Sequence, residues 1–328
     1  CFMISFVVGI QYIELGKMTV GGLTAFIGYI STTLSNFVAG TQQLLERMPY
    51  WKQSLDRFNY FFFLVEYKKD GKSLERIDTI EIKHLSYWYD DTEKPALDNI
   101  NMMIKHGDKI GIIGQVGSGK TTLMNIISGF YEMPKGMVLI NGEDIGDYKR
   151  DDLFSKYNYA LQQNIILDDT IKANVDITEN LEDNEFEKII KNAELKEDIE
   201  KLEEKEETLV GEKGVKLSGG QKQRVSIARN LSNAREINIF DDTLSALDST
   251  TEKKIMNHLL DEVGNNTLIV IANKISSVEK LDKIYVLLDG KIEDCGTHEE
   301  LVKRNKFYKE VYLLEKKEEE DEIYTKEK

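Results

Sequence analysis

A nine-residue stretch rich in glycine, Gly114 to Thr122, constrains this chain more than any other feature. It fits the pattern G-x-x-x-x-G-K-[ST] in full, and it follows a short apolar run from Lys109 to Ile113. The residues after it, Leu123 to Ile127, continue as an amphipathic helix. Strand, glycine turn and helix place backbone N–H groups and the positive end of the helix dipole around an anion. The stretch therefore predicts a phosphate-binding loop and a nucleotide site.

Each part of this loop has an expected role. The phosphate-holding residues are Gly114, Gln115, Val116, Gly117, Ser118, Gly119, Lys120, Thr121 and Thr122. We expect Lys120 to reach the β- and γ-phosphates and the Thr121 hydroxyl to ligate Mg²⁺. Taken alone, the motif could also be a glycine-rich turn that binds nothing. The surrounding sequence must decide between a phosphate-binding loop and such a turn.

The charge and cysteine content exclude several classes of protein. The net charge is −15 over 328 residues, and no basic face outweighs the carboxylates, which argues against nucleic acid as the main partner. Cys1 and Cys295 lie at opposite ends of the chain and form no metal-binding or redox spacing, which fits a reducing cytosolic face. The chain begins with Cys and without the pattern of a signal peptide, so we expect an N-terminally truncated fragment of a longer polypeptide.

The first 45 residues are the most apolar part of the chain. Residues 1–13 are almost wholly apolar, and the run from Met18 to Leu45 has no charged residue. A transmembrane helix needs about 20 residues, so the second run predicts a span, and the first is too short unless its beginning is missing. Basic residues follow, which marks that side as cytoplasmic. We expect two spans joined by a tight outer turn; a buried helix of a soluble protein, rich in Gly, Ser and Thr, is the alternative.

The rest of the chain divides by composition. The helical pattern continues to residue 67, so residues 1–67 are expected to form one helical domain that ends in the cytosol. Residues 68–77 are polar and predict a linker, and an α/β pattern fills residues 78–314. Within that region, the charged stretch 181–207 predicts a helical subdomain. Residues 315–328 are nearly all charged, which predicts a disordered tail.

Two further motifs follow the loop in chain order. The sequence LSGGQ occupies residues Leu217, Ser218, Gly219, Gly220 and Gln221 and precedes a helical stretch. The apolar strand 237–240 then ends on Asp241 and Asp242. Together the three motifs resemble the Walker A loop, the signature and the Walker B strand of ABC transporter nucleotide-binding domains. The resemblance implies an α/β P-loop NTPase with a RecA-like core, an antiparallel β subdomain and an α-helical subdomain, preceded by all-α transmembrane helices.

The resemblance assigns roles to an aromatic residue and a glutamine outside the loop. Tyr89 resembles the aromatic residue that stacks on adenine, and Tyr87 is the alternative. Gln162 resembles the Q-loop glutamine, which touches Mg²⁺ and senses the membrane domain, and Gln163 is the alternative. The family often has proline before this glutamine, whereas Leu161 stands here.

The same resemblance implies a metal site and a subunit contact. Asp241, Thr121 and Gln162 are implied to hold Mg²⁺ beside ATP. The segment from Ser245 to Asp248 is similar to the D-loop, in which Asp248 would lie against the opposite subunit.

Two segments are typical of the exporter type within this family. Thr208 to Glu212 is similar to the TxVGE segment that precedes the signature in exporters, and Gly296 to Leu301 matches the C-terminal G-T-H-x-E-L pattern. The N-terminal piece resembles the end of an exporter membrane domain. The resemblance therefore extends over nearly the whole chain.

Two residues depart from the family pattern on the γ-phosphate side. Members that hydrolyse ATP carry Glu after the Walker B aspartate and His in the switch strand, whereas this chain has Asp242 and Asn273. A carboxylate one methylene shorter lies about 1.5 Å further back, and such a misplacement can cost about 100-fold in rate. A general base contributes about 10²- to 10⁴-fold. We expect firm ATP binding with doubtful turnover; the alternative is that Asp242 works after a shift of its loop.

The intact signature implies a partner. In this family two nucleotide-binding domains dimerise head to tail, and each ATP lies between the P-loop of one and the signature of the other. Residues 217–221 would therefore act on ATP held by another subunit, as in heterodimeric exporters with one degenerate site; a homodimer stays open. We expect one subunit of an ATP-driven exporter in the plasma membrane, with its ATPase domain on the cytoplasmic side and a small molecule, lipid or peptide as cargo.

Two other functions stay open. One is a regulatory, ATP-gated subunit whose own site never turns over. The other is a soluble ABC ATPase that acts in translation or on DNA, against which the charge-free run from Met18 to Leu45 argues. The transported substrate does not follow from the residues.

Overall fold

The structure is a computed structural model that describes residues 2–63, 71–90, 92–211, 214, 216–245 and 247–326. Several sequence predictions fall partly outside these residues: Cys1, linker residues 68–70, Glu212, Ala246 and the last two residues of the tail. The chain divides after residue 67 into two compact units, which are described separately.

Helices make up the described part of the first unit, and helices and strands alternate in the second. The helices are α1 (Phe2–Glu14), α2 (Val20–Phe63), α3 (Lys120–Ile127), α4 (Arg150–Ser155), α5 (Ile171–Val175), α6 (Asp183–Asn192), α7 (Lys196–Glu200), α8 (Gly219–Ser232), α9 (Ser249–Val263), α10 (His298–Arg304) and α11 (Lys306–Lys326). The strands are β1 (Thr79–Tyr87), β2 (Leu97–Lys105), β3 (Lys109–Ile113), β4 (Val138–Ile140), β5 (Glu143–Asp144), β6 (Tyr157–Ala160), β7 (Ile237–Asp241), β8 (Thr267–Ala272), β9 (Lys283–Leu288) and β10 (Lys291–Gly296).

In the first unit, α1 and α2 approach each other closely at a glycine. A Cβ added at Gly9 would stand 2.1 Å from Cδ1 of Leu23. Leu23 is buried in consequence, whereas many large apolar side chains of the two helices are exposed. Helix α2 runs without a break to Phe63, and residues 64–67 of the predicted helical domain lie outside the described residues.

The structure corrects the prediction of membrane spans. Among the described residues, no helix is both long enough and apolar enough to cross a bilayer. Helix α1 has 13 residues, fewer than a span of about 20 requires. In α2, glycine, serine, threonine and glutamine residues interrupt the apolar residues of the charge-free run, so absence of charge did not make the run apolar enough.

Four strands of the second unit form an antiparallel sheet in the order β2-β1-β4-β5. Strand β1 pairs with β2 from Thr79 opposite Lys105 to Tyr87 opposite Leu97. The pairing shifts register between residues 82 and 85, where His84 has φ +47°. This sheet is the antiparallel β subdomain that the resemblance implied.

Six strands form the central sheet in the order β10-β9-β3-β8-β7-β6, and all pair in parallel except the edge strand β10. Strand β8 lies between β3 and β7, with Ala272 opposite Ile113 and Ile271 opposite Asp241. Parallel strands end at the same edge of a sheet, which is where such sheets bind ligands. The loop after β3, the end of β7 and Asn273 after β8 therefore meet.

Apolar side chains cover both faces of the central sheet. On one face, Ile110 and Ile112 of β3 belong to a core with Leu123 of α3 and the four-stranded sheet. On the other face, Phe240 and Val270 belong to a core with α6, α8 and α9. This alternation follows the two-residue period of strands. The helix behind the phosphate-binding loop is thus packed on one face and the signature helix on the other.

The charged region 181–207 is helical, as predicted. It forms α6, α7 and a 3₁₀ turn at Lys205–Glu207. The buried residues of α6 are spaced at helical intervals: Phe186, Ile189 and Ile190. Its charged residues lie on the opposite, exposed side, so this densely charged segment still buries a small apolar core.

The C-terminal region is helical where disorder was expected. Tyr308, in the first turns of α11, is fully buried, and its hydroxyl lies 2.9 Å from Nδ1 of His298. Further along, Glu315 accepts hydrogen bonds from the backbone of residues 275 and 276. The prediction of a disordered tail is therefore wrong at Glu315. Composition missed these contacts because they join residues far apart in the chain.

We expect a methyl group at Gly114 to destabilise the fold. A Cβ added there would stand 1.9 Å from the carbonyl oxygen of Leu287 in the adjacent strand β9. Gly114→Ala should therefore lower the free energy of unfolding, measured with urea, by about 1–3 kcal/mol, the usual cost of overpacking. Gly219→Ala is the control, because its added Cβ meets nothing within 4 Å. An effect of Gly219→Ala as large as that of Gly114→Ala would contradict this account.

Candidate nucleotide-binding site

A cleft opens at the edge of the central sheet where β3, β7 and β8 end. It encloses about 950 Å³ of empty space, its open mouth included. The sequence-predicted residues that line it are Tyr89, Val116, Gly117, Gly119, Lys120, Thr121, Thr122, Gln162, Asp241, Asp242 and Asn273. Five separate stretches of the sequence thus converge on one site.

The loop between β3 and α3 has the geometry of a phosphate cradle. Gly119, the residue before α3, has φ +99°, a left-handed conformation that glycine adopts without strain. A Cβ at this position would stand 2.5 Å from the carbonyl oxygen of Ala96. Ser118 is buried, and its hydroxyl has no hydrogen-bond partner among the described residues. Ser118 is not among the described residues that line the cleft.

Lys120 begins α3 and lies buried in the cleft. Its Nζ donates hydrogen bonds to the carbonyl oxygens of Gly114 (2.7 Å) and Gln115 (2.9 Å) and to Oδ1 of Asn273 (2.9 Å). Burial lowers the pKa of the ammonium group, and the two carboxylates at the end of β7 oppose that shift. The two carbonyl oxygens thus hold the charged group where phosphate oxygens could replace them.

Asp241, the last residue of β7, is 2% exposed. Its Oδ2 accepts a hydrogen bond from the hydroxyl of Tyr159, at 3.3 Å. Burial raises the pKa of Asp241, and hydrogen bonds from Thr121 and Tyr159 oppose the rise. Gln162 lines the same cleft, whereas Gln163 is not among the described lining residues. The three side chains expected to hold Mg²⁺ therefore share one cleft.

Asp242 and Asn273, which depart from the family pattern, are linked to each other and to Lys120. Asp242 has φ +51°, and its backbone N–H donates to the carbonyl oxygen of Ile271 at 2.9 Å. Its Oδ2 accepts from Nε2 of Gln162 at 3.4 Å. Burial raises the pKa of Asp242, while Lys120 and hydrogen bonds from Gln162 and Asn273 oppose the rise. Asn273 thus lies beside both charges: its oxygen accepts from the ammonium, and the residue opposes the rise in the pKa of Asp242.

Tyr89, and not Tyr87, lines the cleft within the described residues. Tyr89 is 41% exposed, and its hydroxyl lies 2.8 Å from Oγ1 of Thr122 in the loop. Tyr87 instead stacks on Tyr131, with ring centroids 5.4 Å apart. The ring of Tyr89 meets Tyr87 edge-on at 5.1 Å, which braces an exposed aromatic ring beside the phosphate-binding loop.

The signature forms the start of α8 and is separate from the cleft. None of residues 217–221 is among the described residues that line it. The hydroxyl of Ser218 accepts from the backbone N–H of Gln221 (3.2 Å), and the side chain of Gln221 accepts from the N–H of Ser218 (2.9 Å). Gln221 also donates to Asp198 of α7, at 3.1 Å. These bonds hold the helix N-terminus rigidly without help from the chain's own nucleotide site.

Asp248 also lies outside the cleft, at the N-terminus of α9. Its side chain accepts hydrogen bonds from the backbone N–H groups of Thr250 (3.2 Å) and Thr251 (3.1 Å). A side-chain hydrogen bond from Thr251 lowers the pKa of Asp248. The residue is a helix cap within this chain.

Sequence reasoning missed three residues that line the cleft and one that supports it. Thr92, Lys94 and Ala96 come from the loop between β1 and β2, which carries no motif. Tyr159 reaches Asp241 only because β6 pairs with β7, opposite Ile239. The one sequence feature that could have pointed to this loop is that Lys94 follows Tyr89 closely along the chain.

The residues fit a nucleoside triphosphate with Mg²⁺. The cleft holds two lysines, the buried Lys120 and the exposed Lys94, and two carboxylates, Asp241 and Asp242. A bound triphosphate would add negative charge, which a divalent cation would offset, and Asp241 and the Thr121 hydroxyl are oxygen ligands of the kind Mg²⁺ prefers. When bound, Mg²⁺ would neutralise charge on the β- and γ-phosphates.

Comparisons with known proteins found a matching family model, similar sequences and a similar structure. Residues 97–245 match the family model described as ABC transporter. The chain is 35% identical over 309 residues to a putative multidrug export ATP-binding/permease protein of Staphylococcus aureus strain NCTC 8325, covering 92% of this chain and 53% of that protein. It is 34% identical to the counterpart in S. aureus strain bovine RF122, with the same coverage.

A solved structure is also similar. It is described as a bacterial Atm1-family ABC exporter with ATP bound, with a TM-score of 0.69 and 28% sequence identity. The similarity covers 91% of this chain and 53% of that one. The chain therefore spans about half the length of the relatives that it matches.

The raised pKa of Asp242 predicts a pH-dependent stability. Its folded-state pKa lies above the ordinary value of 3.8, so between these values the folded state binds more protons than the unfolded state. The free energy of unfolding of the wild type, relative to Asp242→Asn, should therefore fall as pH rises from 3.8 through the raised pKa. Urea denaturation of both proteins at a series of pH values, without nucleotide, measures the difference. A difference that rises with pH would contradict the burial of this carboxyl.

Proposed function

We propose that this chain, which carries the ATP-binding domain of an exporter-type ABC transporter, binds ATP firmly at its own site and turns it over slowly or not at all. The observation that supports the proposal is the arrangement around Lys120. The groups for holding phosphate are complete, while the two positions beside them carry Asp242 and Asn273. Holding and hydrolysing are therefore assigned to different residues.

Binding rests on residues that converge in the cleft. The loop and Lys120 would hold the phosphates, and Thr121, Gln162 and Asp241 would hold Mg²⁺. Tyr89 would stack on the adenine, because its exposed ring stands next to Thr122 at the start of α3.

Slow turnover rests on two side chains. Asp242 would take the position of the base that orients water, but its carboxylate is one methylene shorter than glutamate. It is also engaged by Gln162 and Asn273 rather than free to accept a proton. Asn273 cannot become cationic and is occupied between Lys120 and Asp242. A misplaced base and a neutral switch residue would together lower the rate.

The signature supports a role in a second site. Residues 217–221 stand at a rigid helix N-terminus outside the chain's own cleft. We propose that they act on ATP held by another exporter subunit, with Asp248 near the same contact, so that the working unit is a heterodimer. In a homodimer, both nucleotide sites would carry Asp242 and Asn273 in place of the family's glutamate and histidine.

Export across the plasma membrane is the activity we assign to the assembled protein. The relatives are named as multidrug export ATP-binding/permease proteins, and the similar structure is described as an ABC exporter. By this similarity the ATP-binding domain would face the cytoplasm and the cargo would be a small molecule, lipid or peptide. An ATP-gated regulatory subunit without turnover is the second candidate, and turnover at this site with the partner's site disabled separates the two.

Loss of the Lys120 ammonium should weaken ATP binding. Lys120→Ala removes a charged donor from the phosphate cradle, so we expect about 10- to 100-fold weaker binding of Mg²⁺-ATP. Isothermal titration calorimetry measures the affinity. Lys135→Ala is the matched control, because Lys135 is an exposed lysine paired with Asp147 away from the cleft. Equal affinity of wild type and Lys120→Ala would refute nucleotide binding at this loop.

Restoring the family residues should raise turnover. Asp242→Glu combined with Asn273→His supplies a longer carboxylate and an imidazole, so we expect ATP hydrolysis to rise at least about 10-fold. Phosphate release by the assembled complex, with the partner's site disabled, measures it. Ser218→Ala is a separate variant that should leave ATP binding at this chain's own site unchanged. Turnover at rates usual for exporters in a homodimer of the unaltered chain would rule out the degenerate site.

A further inference from the structure

The segment that follows Asn273 is held from behind by a side chain of the C-terminal helix. Glu315 of α11 accepts a hydrogen bond from the backbone N–H of Ile275 at its Oε1 (2.6 Å) and from that of Ser276 at its Oε2 (3.1 Å). Both carboxylate oxygens are used, each by a different amide. Residues 273–277 are called the switch segment below.

A second carboxylate grips the same segment from another helix. Glu252 of α9 is 1% exposed, and its Oε1 accepts hydrogen bonds from the hydroxyls of Ser276 (3.1 Å) and Ser277. Its Oε2 has no hydrogen-bond partner among the described residues. Ser276 is therefore bonded to Glu315 through its backbone and to Glu252 through its side chain.

The front of the switch segment lies in the nucleotide cleft. Asn273 stands two residues before Ile275 and accepts from Lys120 at 2.9 Å. The helix that carries Glu315 is itself anchored, because Tyr308 is fully buried and bonded to His298. A continuous series of bonded groups thus leads from α11, through the switch segment, to the lysine that would hold the β- and γ-phosphates.

We propose that Glu315 is a positioning residue for ATP: by bonding the amides of Ile275 and Ser276, it holds Asn273 beside Lys120. This inference rests on the ATP-binding role proposed above. Glu315 touches neither ATP nor Mg²⁺ and acts through the backbone of the switch segment. Ordering that segment before the nucleotide arrives removes part of the entropy cost of binding.

Because Asn273 lies beside Lys120, the proposal predicts different effects on the binding of ATP and of ADP. Lys120 would contact the γ-phosphate as well as the β-phosphate, and ADP lacks the γ-phosphate. Loosening the switch segment should therefore affect ATP more than ADP. A general loss of folding would instead weaken the binding of both nucleotides alike.

The test compares Glu315→Ala, Glu315→Gln and the control Glu310→Ala in the full chain. Glu310 lies on the same helix, is exposed and is paired only loosely, at 3.9 Å, with Lys306. We expect Glu315→Ala to weaken ATP binding by about 5-fold or more, within the usual range of coupling between sites, and to leave ADP binding nearly unchanged. Glu315→Gln keeps one acceptor oxygen and should recover part of the loss, and Glu310→Ala should change neither affinity.

Amide hydrogen exchange of the switch segment provides a second measurement that does not need nucleotide. Glu315→Ala should speed exchange at Ile275 and Ser276, and Glu310→Ala should not. If Glu315→Ala does not fold, Glu315→Gln carries both measurements. An unchanged or increased preference for ATP over ADP, or unchanged exchange at these amides, would overturn the proposal. Failure of the wild type to bind ATP would instead overturn the nucleotide role and leave the exchange result intact.

Discussion

The parallel pairing of β3, β8 and β7 is the constraint on which the nucleotide site depends. It sets Ile113 opposite Ala272 and Ile271 opposite Asp241, so the loop after β3, the end of β7 and Asn273 meet at one edge. The buried side chains of these strands alternate between two cores, and a slip of one residue would turn them to the wrong face. Packing of the sheet therefore places the site as well as stabilising the fold.

Within the site, several hydrogen-bond acceptors surround the ammonium group of Lys120. Lys120 donates to two carbonyl oxygens of the loop and to Asn273, with two carboxylates at the end of β7 close by. Phosphate oxygens can replace the two carbonyl oxygens, and a divalent cation can offset the carboxylates. The same crowding occupies Asp242 with hydrogen bonds from Gln162 and Asn273.

The switch segment connects this site to the rest of the domain. Its front residue, Asn273, contacts Lys120, and its rear is bonded by Glu252 from α9 and Glu315 from α11. Asp248 caps the same helix α9 one turn before Glu252. Helices α9 and α11 therefore both bond to Ser276 of the switch segment, one to its side chain and the other to its backbone.

The sequence by itself determined the features that are encoded within a few residues: the glycine loop, the helix after it and the capping box of Ser218 and Gln221. Tertiary structure alone decided which tyrosine lines the cleft, since Tyr87 is engaged by Tyr131, and that Lys94 and Tyr159 belong to the site or support it. It also ordered Glu315, where composition predicted disorder. The physical reason is range: caps and glycine turns are satisfied by neighbours in the chain, whereas these contacts join residues brought together only by strand register and helix packing.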